Sequence, residues 1–333
     1  MKNNNNGSGK WIGFHLYYEE PWEDLLSRCI FPLVLKLKKG KKINKFFFIR
    51  YWESGPHIRL RLNVSEENLI NTLKKIVVEN IHTYFEKYPS YREDKDYNKY
   101  FSKLYENNSI QIIEYMPEID RYGGINAMNI SESQFCASSE ATLKVIKLHK
   151  SWNYDTAMGY AIKLNLSFAR VFFENNSDLL HFYSLLTNQM FTLIPGLYYG
   201  KEESDFLKNK NEFYSVFENE FQKQESNIVP YIFSFLGLID NENNIKDTWL
   251  RSWMIEMKKV KDELHELEKL NKIKYPGEDI INVNINRDYG LWYIYFSYIH
   301  MINNRLGIKN RDESFLSFLI KRSIGKINGE ITL

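Results

Sequence analysis

Two strand-forming stretches around a tight turn, KFFFIRYW-ESGP-HIRLRLN at residues 45–63, constrain the fold more than any other feature of the chain. The first stretch is aromatic and apolar, and the second alternates strictly between apolar and polar side chains. Because successive side chains of a strand point to opposite faces, this alternation predicts a strand with one apolar and one cationic face. The Ser54-Gly55-Pro56 turn joins the two stretches into a predicted hairpin.

The cationic face of the second strand carries His57, Arg59 and Arg61. Antiparallel sheets often leave one face to solvent, so solvated charges are the simplest interpretation of this stretch alone. Arginine is nevertheless unusual on a face that only meets water, because its planar guanidinium suits bidentate binding of carboxylate or phosphate. An anion-binding site is therefore the alternative, and other segments have to decide between the two.

Two further strands and two helices are predicted around the hairpin. A strand at 11–18 precedes a helix that opens at Pro21 and meets an interruption at Pro32. A helix over 65–88, capped by Ser65, follows the hairpin, and a strand over 109–116 comes next. The order β-α-β-β-α-β predicts a ferredoxin-like sheet of the split βαβ type.

Helical periodicity dominates the chain after Gly124. The predicted helices cover residues 131–150, 153–176, 178–193, 205–225, 248–272 and 288–307, the last beginning at Asp288 and ending at Gly307. The fold class is therefore α+β, a sheet subdomain followed by a mostly helical subdomain. The predicted boundaries are a disordered polar lead at 1–10, the sheet subdomain at 11–124 and the helical subdomain at 125–333.

Bulk composition excludes several functional classes. Lys plus Arg number 44 against 42 for Asp plus Glu, so no bulk field directs the chain to nucleic acid or an anionic membrane. The two cysteines form no disulfide framework or metal-ligand pattern, and phosphate-loop, zinc-protease and nucleophile-elbow motifs are absent. Without a signal peptide or an apolar run of bilayer length, the sequence predicts a soluble, cytoplasmic protein.

Aromatic residues make up 16% of the chain, which predicts an aromatic core and a groove suited to a peptide-like ligand. The basic run KLKKGKKINK at 36–45 precedes the second strand. A solvated loop is the simpler interpretation of this run. The alternative is a surface for an acidic peptide or partner.

The segment MPEIDRYGG at 116–124 follows the fourth predicted strand and ends in two glycines, which allow a sharp turn. It places Glu118 and Arg121 three residues apart at the end of a strand, where functional sites are common. A local pair of Glu or Asp with Arg that steadies the turn explains the same residues equally well.

A third polar group closes the apolar helix DYGLWYIYFSYIHMINNRLG. Ser297, His300 and Asn304 lie one turn apart on the same helix face, followed by Arg305. A single histidine in an aromatic helix is usually a core residue whose hydrogen bonds are satisfied. The polar neighbours of His300 favour a site instead.

The three stretches FFFIRYWESGPHIRLRL, MPEIDRYGG and SYIHMINNRLG, in this order, resemble the C-terminal domain of class I lanthipeptide dehydratases. The same domain occurs alone in thiopeptide-type bacteriocin biosynthesis. The resemblance runs from Trp11 to about residue 325. In the full-length family enzymes, one domain transfers glutamate from glutamyl-tRNA to Ser or Thr of a precursor peptide. The C-terminal domain then eliminates glutamate and leaves a dehydroamino acid.

The resemblance also implies site residues. The family's eliminating positions correspond here to Arg59, Arg61, Glu118, Arg121 and His300, which all match in type. The implied catalytic residues are Arg59, Arg61, Arg121 and His300, and the implied substrate-binding residues are His57, Glu118, Tyr122, Asn304 and Arg305. An enzyme of this kind needs no metal or organic cofactor. The four implied catalytic residues are expected to line one cleft between the two subdomains.

The implied partners are a glutamylated precursor peptide and a separate glutamylation subunit, because the chain shows no large glutamylation domain. A homodimer is a further option, whereas direct nucleic-acid binding and membrane insertion are not expected. Some family members that consist of this domain resemble pyridine-forming cyclases, which join two dehydroalanines in a formal [4+2] reaction and tend to lose the elimination residues. Retention of the full set favours a lyase. A non-catalytic, peptide-binding scaffold is the third interpretation.

Overall fold

The computed structural model describes residues 9–97, 99, 101, 103–191, 203–278 and 289–329. Most of the predicted polar lead, the predicted helix start at Asp288 and the last two residues of the predicted helix 178–193 lie outside these residues. The chain forms two compact units. The sheet unit comprises residues 1–118 and 135–152, and the helical unit comprises residues 119–134 and 153–333.

Among the described residues, the sheet unit contains four antiparallel strands in the order β2-β3-β1-β4. The strands are β1 (Trp11–Tyr17), β2 (Ile43–Tyr51), β3 (His57–Val64) and β4 (Ser109–Ile113). The predicted hairpin is confirmed, since β2 pairs with β3 in a register that sets Tyr51 opposite His57. Strand β4 ends three residues before the predicted end at 116. The α+β class is confirmed, and the ferredoxin-like assignment stays a prediction.

The helices of the sheet unit start later than predicted. A π-helical turn at Leu25–Ile30 runs directly into α1 (Phe31–Lys39), so the helix continues through Pro32, where an interruption was predicted. Pro32 has no N–H to donate to the preceding turn, and that turn is π-helical. A 3₁₀ turn at 67–69 leads into α2 (Ile70–Lys87). The predicted cap at Ser65 is wrong, because its hydroxyl donates to the Lys41 carbonyl instead. A short α3 (Asp94–Tyr97) precedes β4.

The basic run at 36–45 is not the predicted solvated loop. Its first lysines form the last turn of α1, where cations interact favourably with the helix dipole. Its last residues begin β2. Lys38 within the run pairs with Glu140. Only the Gly40-Lys41-Lys42 turn between α1 and β2 lies outside a helix or strand.

The core of the sheet unit lies on the apolar face of the sheet. Alternate residues of the strands, including Phe14, Phe48 and Leu60, are fully buried there against the helices. The second half of α4 (Met128–Leu148) adds Leu143 to the same core. This contact is why residues 135–152 belong to the sheet unit, so the unit boundary does not coincide with the predicted division at residue 124.

The helical unit consists of long helices. They are α5 (Tyr154–Phe172), α6 (Asn176–Phe191), α7 (Glu203–Ile239), α8 (Thr248–Lys269), α9 (Gly290–Leu306) and α10 (Asn310–Ile327). Helix α7 continues through Pro230 beyond the predicted end at 225. Helix α9 ends where predicted, with Gly307 in the left-handed conformation at φ 84°. Across the described residues, no helix combines the length and the hydropathy needed to cross a membrane.

Candidate functional site

The polar face of β3 is buried, so the interpretation of His57, Arg59 and Arg61 as solvated charges is wrong. His57 has no exposed surface, and Arg61 is 6% exposed. The side chain of Arg59 is half-buried. His15 on the neighbouring strand is also buried, at 5% exposure. These four residues are called the strand cluster below. Ionisable groups that remain out of water need hydrogen-bond or charge partners.

Strand pairing explains how His15 joins the strand cluster. In the register between β1 and β3, His15 lies opposite Arg59, and Gly13 lies opposite Arg61. Residues at diagonal positions of neighbouring strands remain within reach of long side chains. His15 was not predicted, although WIGFHLYY carries the same alternation of side chains as β3. The alternation in WIGFHLYY indicates that His15 lies on one face of a strand, but only the pairing register of β1 and β3 shows that this face meets Arg59 and Arg61.

Each arginine of the strand cluster donates to one histidine. Arg59 Nε donates to His57 Nε2 at 3.1 Å, and Arg61 Nη2 donates to His15 Nε2 at 3.0 Å. A guanidinium has no acceptor, so both Nε2 atoms must carry a lone pair. The Nδ1 of His57 then holds the proton and donates it to the Gly55 carbonyl at 2.7 Å. Both imidazoles are therefore neutral in this geometry.

Burial explains why these histidines stay neutral. It lowers the pKa of His57 to about 4. Burial and the charges of nearby residues, led by Arg61, lower the pKa of His15 to about 2. The two rings stack with centroids 4.9 Å apart and planes inclined by 22°. Burial also lowers the pKa of Arg61 to about 10, which leaves the guanidinium charged at neutral pH.

The two arginines differ in their remaining contacts. Arg59 lies over the Tyr51 ring, 3.4 Å from its centroid, and 3.5 Å from the Glu53 carboxylate. Arg61 has an Nη1 atom with no hydrogen-bond partner among the residues that the structure describes. A buried guanidinium with an unused donor is costly without a ligand, and carboxylates and phosphates are the ligands that match its fork. The strand cluster is thus suited to bind an anion.

In the helical unit, the predicted loop segment is held against α9. Arg121 Nε donates a hydrogen bond to Ser297 Oγ at 3.2 Å. Gly123 has φ 91°, and a Cβ there would lie 2.8 Å from the Ala127 Cβ and 2.9 Å from the Ile294 Cδ1. The turn therefore needs glycine both for its backbone conformation and for its packing.

His300 is paired with a buried carboxylate that the sequence did not indicate. Its Nδ1 donates to Glu313 Oε2 at 2.9 Å and lies 3.2 Å from Oε1. Glu313 is 1% exposed, and burial raises its pKa while the charges of His300 and Arg121 oppose that rise. Glu313 stands in the charged stretch NRDE at the start of α10, which resembles an ordinary exposed helix start.

The pairing with Glu313 defines what His300 can do. A carboxylate on Nδ1 fixes the tautomer and leaves Nε2 as the acceptor. Within the described ranges, Nε2 of His300 has no hydrogen-bond partner, and the side chain is 20% exposed. His300 is therefore able to take up a proton at Nε2, with Glu313 stabilising the resulting imidazolium. Arg121, Ser297, His300 and Glu313 are called the helix cluster below.

The remaining predicted substrate-binding residues lie in different surroundings. Tyr122 is buried, and its ring stacks on Tyr298 at 6.0 Å between centroids. Ser131 Oγ bonds the Tyr298 hydroxyl at 2.7 Å and donates to the Tyr122 carbonyl at 3.2 Å. Arg305 is fully buried and donates to the Met301 carbonyl one turn earlier. These contacts hold the turn and the helix, and substrate binding by Tyr122 and Arg305 stays a prediction.

Two other predicted residues are more accessible. Glu118 is exposed at the end of the sheet unit, and Asn304 is half-buried on α9. The strand cluster lies in the sheet unit, and the helix cluster lies in the helical unit. The expected single cleft shared by the four catalytic residues stays a prediction.

Comparison with sequence families gives a match over residues 11–324 to the family described as the lantibiotic biosynthesis dehydratase C-terminal domain. The chain is 23% identical over 238 residues to the epidermin biosynthesis protein EpiB of Staphylococcus epidermidis, covering 69% of this chain and 21% of EpiB. It is 25% identical over 187 residues to the nisin biosynthesis protein NisB of Lactococcus lactis subsp. lactis, covering 54% and 16%. The chain thus spans about a fifth or less of these curated relatives.

Solved structures share the fold. The pyridine synthase TbtD from thiomuracin biosynthesis matches with a TM-score of 0.73 and 11% identity, covering 97% of this chain and all of TbtD. The tRNA-dependent lantibiotic dehydratase MibB from Microbispora sp. 107891 matches with a TM-score of 0.59 and 15% identity, covering 98% of this chain and 29% of MibB. At such low sequence identity, these likenesses establish the fold alone.

Proposed function

Since this chain belongs to the lantibiotic biosynthesis dehydratase C-terminal family, we propose that it eliminates glutamate from glutamylated Ser or Thr residues of a ribosomal precursor peptide. The products are dehydroalanine or dehydrobutyrine and free glutamate. The observation that carries this proposal is the unused Nη1 donor of buried Arg61, held beside Arg59 and two neutral histidines. Such a group matches a substrate whose leaving group is a carboxylate.

Elimination places definite demands on a site. A base removes the Cα proton of the modified residue, the C–H electron pair forms the Cα–Cβ double bond, and the Cβ–O bond breaks to release a carboxylate. Transfer from glutamyl-tRNA would attach glutamate through its α-carboxyl group. The intermediate then carries a free ammonium and a free side-chain carboxylate, so it offers one anion before reaction and two after it.

The strand cluster supplies the cations for this chemistry. Arg61 is assigned to the carboxylate that develops as the Cβ–O bond breaks. Its position is fixed in advance by burial and by the hydrogen bond to His15. Arg59 is assigned to the side-chain carboxylate of the glutamyl group. A preorganised donor aimed at developing charge is worth about 3–4 kcal/mol of the activation barrier.

The helix cluster supplies the proton chemistry. His300 Nε2 is assigned as the acceptor of the Cα proton, with Glu313 holding the Nδ1 proton. Arg121, held through Ser297, is assigned to the peptide carbonyl next to Cα, where a positive charge stabilises the carbanion-like transition state. Glu118 is assigned to the free ammonium of the glutamyl group. These roles require that both clusters act on the same glutamyl residue.

The substrate must arrive already glutamylated. We assign that step to a glutamylation activity that uses glutamyl-tRNA, and we expect a transient complex between this domain and the protein that carries it. The precursor peptide is then the second partner. Light scattering with and without glutamylated peptide measures the association, and no association under either condition would remove this part of the proposal.

A second candidate function is a formal [4+2] cyclisation that joins two dehydroalanines. The observation that favours it is the TM-score of 0.73 with the pyridine synthase TbtD, against 0.59 with MibB. A cyclisation expels no carboxylate, however, so it develops no anionic leaving group for the buried Arg61 guanidinium to stabilise. The strand cluster therefore favours elimination.

Mass spectrometry of a glutamylated precursor peptide after incubation with the protein separates the candidates. Elimination releases one glutamate for each dehydrated residue. Cyclisation leaves glutamyl groups in place and requires a peptide that is already dehydrated. Unchanged peptide of both kinds, with retained binding, would indicate a scaffold. The same assay applies to Arg61→Ala, and its matched control is Arg28→Ala. Arg28 is an exposed arginine of the same unit that pairs only with exposed Asp24 among the described residues.

A further inference from the structure

We propose that His15 is a positioning residue for Arg61, a deepening of the elimination site that rests on the proposed function. In this role the imidazole accepts a hydrogen bond from Nη2 and fixes the orientation of the guanidinium, whose buried Nη1 has no partner among the described residues and is assigned to the departing carboxylate. His15 is not among the site residues predicted from the sequence. The role follows from contacts within the sheet unit alone.

The space occupied by the Arg61 guanidinium is provided by Gly13. Gly13 lies opposite Arg61 in the strand register, and a Cβ at this position would lie 2.3 Å from the Ile113 carbonyl oxygen of β4, 3.0 Å from Nη1 and 3.3 Å from Cζ. The guanidinium thus folds back over β1, where a side chain would otherwise stand. This placement brings Nη2 to His15, the next residue on the same face of β1.

His15 acts in this contact only as a neutral acceptor. Every nitrogen of a guanidinium is a donor and none is an acceptor, so a protonated imidazole would bring a second positive charge next to Arg61 and offer it no lone pair. The neighbouring charges also favour the neutral form of His15, because Arg61, Arg59 and His57 on β3 all lower its pKa. Stacking on His57 fixes the plane of the His15 ring, and with it the direction of the lone pair on Nε2.

A purely structural role would not require these groups. The opposite face of the same strands is filled by Phe14, Leu60 and similar residues, which pack without polar atoms. Among the described residues, Arg61 forms no ion pair with a carboxylate, and its guanidinium lies 5.8 Å from the Tyr115 ring centroid. Arg61 thus has a neutral acceptor at Nη2 and, at Nη1, a buried donor without a partner among the described residues, an arrangement that suits an anionic ligand.

Two substitutions at His15 separate the acceptor from the ring. His15→Gln keeps an oxygen at the position of Nε2 and loses the aromatic ring. His15→Phe keeps the ring and its stacking on His57 and loses the acceptor. If His15 positions Arg61, His15→Phe should slow glutamate release by about a hundredfold, as for a misplaced reacting group, with kcat changing more than KM. His15→Gln should keep most of the rate.

A double-mutant comparison with Arg61→Ala tests whether His15 acts through Arg61. The pair His15→Phe with Arg61→Ala should release glutamate no more slowly than Arg61→Ala alone, because the positioned group is already gone. Two results overturn the role. One is rate losses that multiply in the double variant. The other is a folded His15→Gln as slow as His15→Phe. All rates are measured well below the melting temperature of each variant.

A spectroscopic readout keeps this test separate from the proposed function. If the wild-type protein releases no glutamate, elimination is wrong, and the ¹⁵N signal of the Arg61 side chain decides the positioning role. The signal should keep its position in His15→Gln and shift or broaden in His15→Phe, because only the second variant frees the guanidinium. An unchanged signal in His15→Phe would show that His15 does not hold Arg61.

Discussion

Nδ1 of His300 donates to the carboxylate of Glu313 at 2.9 Å, and Glu313 is almost completely buried. One helical hairpin supplies both residues, since His300 lies on α9 and Glu313 in the first turn of α10. The pair turns a histidine of an apolar helix into an oriented imidazole whose Nε2 is the acceptor. The proposed proton-transfer role of His300 therefore depends on a residue thirteen positions later in the chain.

Removal of the carboxylate at position 313 should impair catalysis. Glu313→Ala should slow glutamate release by about a hundredfold or more, because His300 loses the group that orients it and stabilises its protonated form. Mass spectra of the peptide over time give the rate. The control is Glu263→Gln, an exposed carboxylate on α8, which should leave the rate unchanged. A folded Glu313→Ala with the wild-type rate would exclude the pair from catalysis.

Substitution of Arg61 should block elimination while the fold survives. Arg61→Ala should reduce glutamate release by about a hundred- to a thousandfold, the usual effect of losing one donor to a developing oxyanion. Glutamylated peptide should accumulate when the upstream activity is present. Arg61→Lys should rescue poorly, because an ammonium cannot replace the fork that contacts His15 and the ligand together. Full dehydration of the peptide by both folded variants would contradict the site assignment.

Stability should fall in acid because His57 is buried in its neutral form. The unfolded chain protonates this histidine near pH 6.5, whereas the folded protein does so only near pH 4. Between these values the unfolded state binds more protons, so the free energy of unfolding decreases as the pH falls. His57 alone should account for a loss of about 3 kcal/mol between neutral pH and about pH 4.

Urea unfolding at several pH values checks the acid effect. His57→Gln should reduce the slope between about pH 6.5 and 4 without removing it, because the amide does not titrate whereas buried His15 still does. His82→Gln is the matched control, since His82 is exposed on α2. An equal pH dependence in wild type and His57→Gln would contradict the predicted linkage.

A methyl group at Gly123 should destabilise the turn that carries Arg121. Gly123→Ala requires a side chain at φ 91° and a Cβ within 3 Å of Ala127 and Ile294, so we expect a loss of about 1–3 kcal/mol. Gly159→Ala on α5 is the opposite case, because a Cβ there would stand in open space, and this change should stabilise by about 0.5–1 kcal/mol. Urea unfolding of both variants measures the difference. If both variants change the free energy of unfolding equally, the turn accommodates a Cβ at position 123 without a loss of stability.

Local pattern in the sequence determined the elements of the fold. The alternation at 57–63 predicted a strand, the SGP turn predicted the hairpin, and helical periodicity predicted most of the second half. These features are local, because the 2-residue period of a strand and the 3.6-residue period of a helix are set by neighbouring residues. The ends of elements were less certain, as at Ser65, where a hydrogen bond to distant Lys41 replaced the predicted cap.

Tertiary structure alone decided which side chains meet. The sequence indicated Arg61 and His300, but it did not indicate His15 or Glu313 as their partners. His15 reaches Arg61 because β1 and β3 pair in one register, and a shift of one residue would turn it to the other face. Glu313 reaches His300 because it faces inward from the first turn of α10, whose residues Asn310 and Arg311 are exposed. Such contacts join residues far apart in the chain and depend on how elements pack, which no local period encodes.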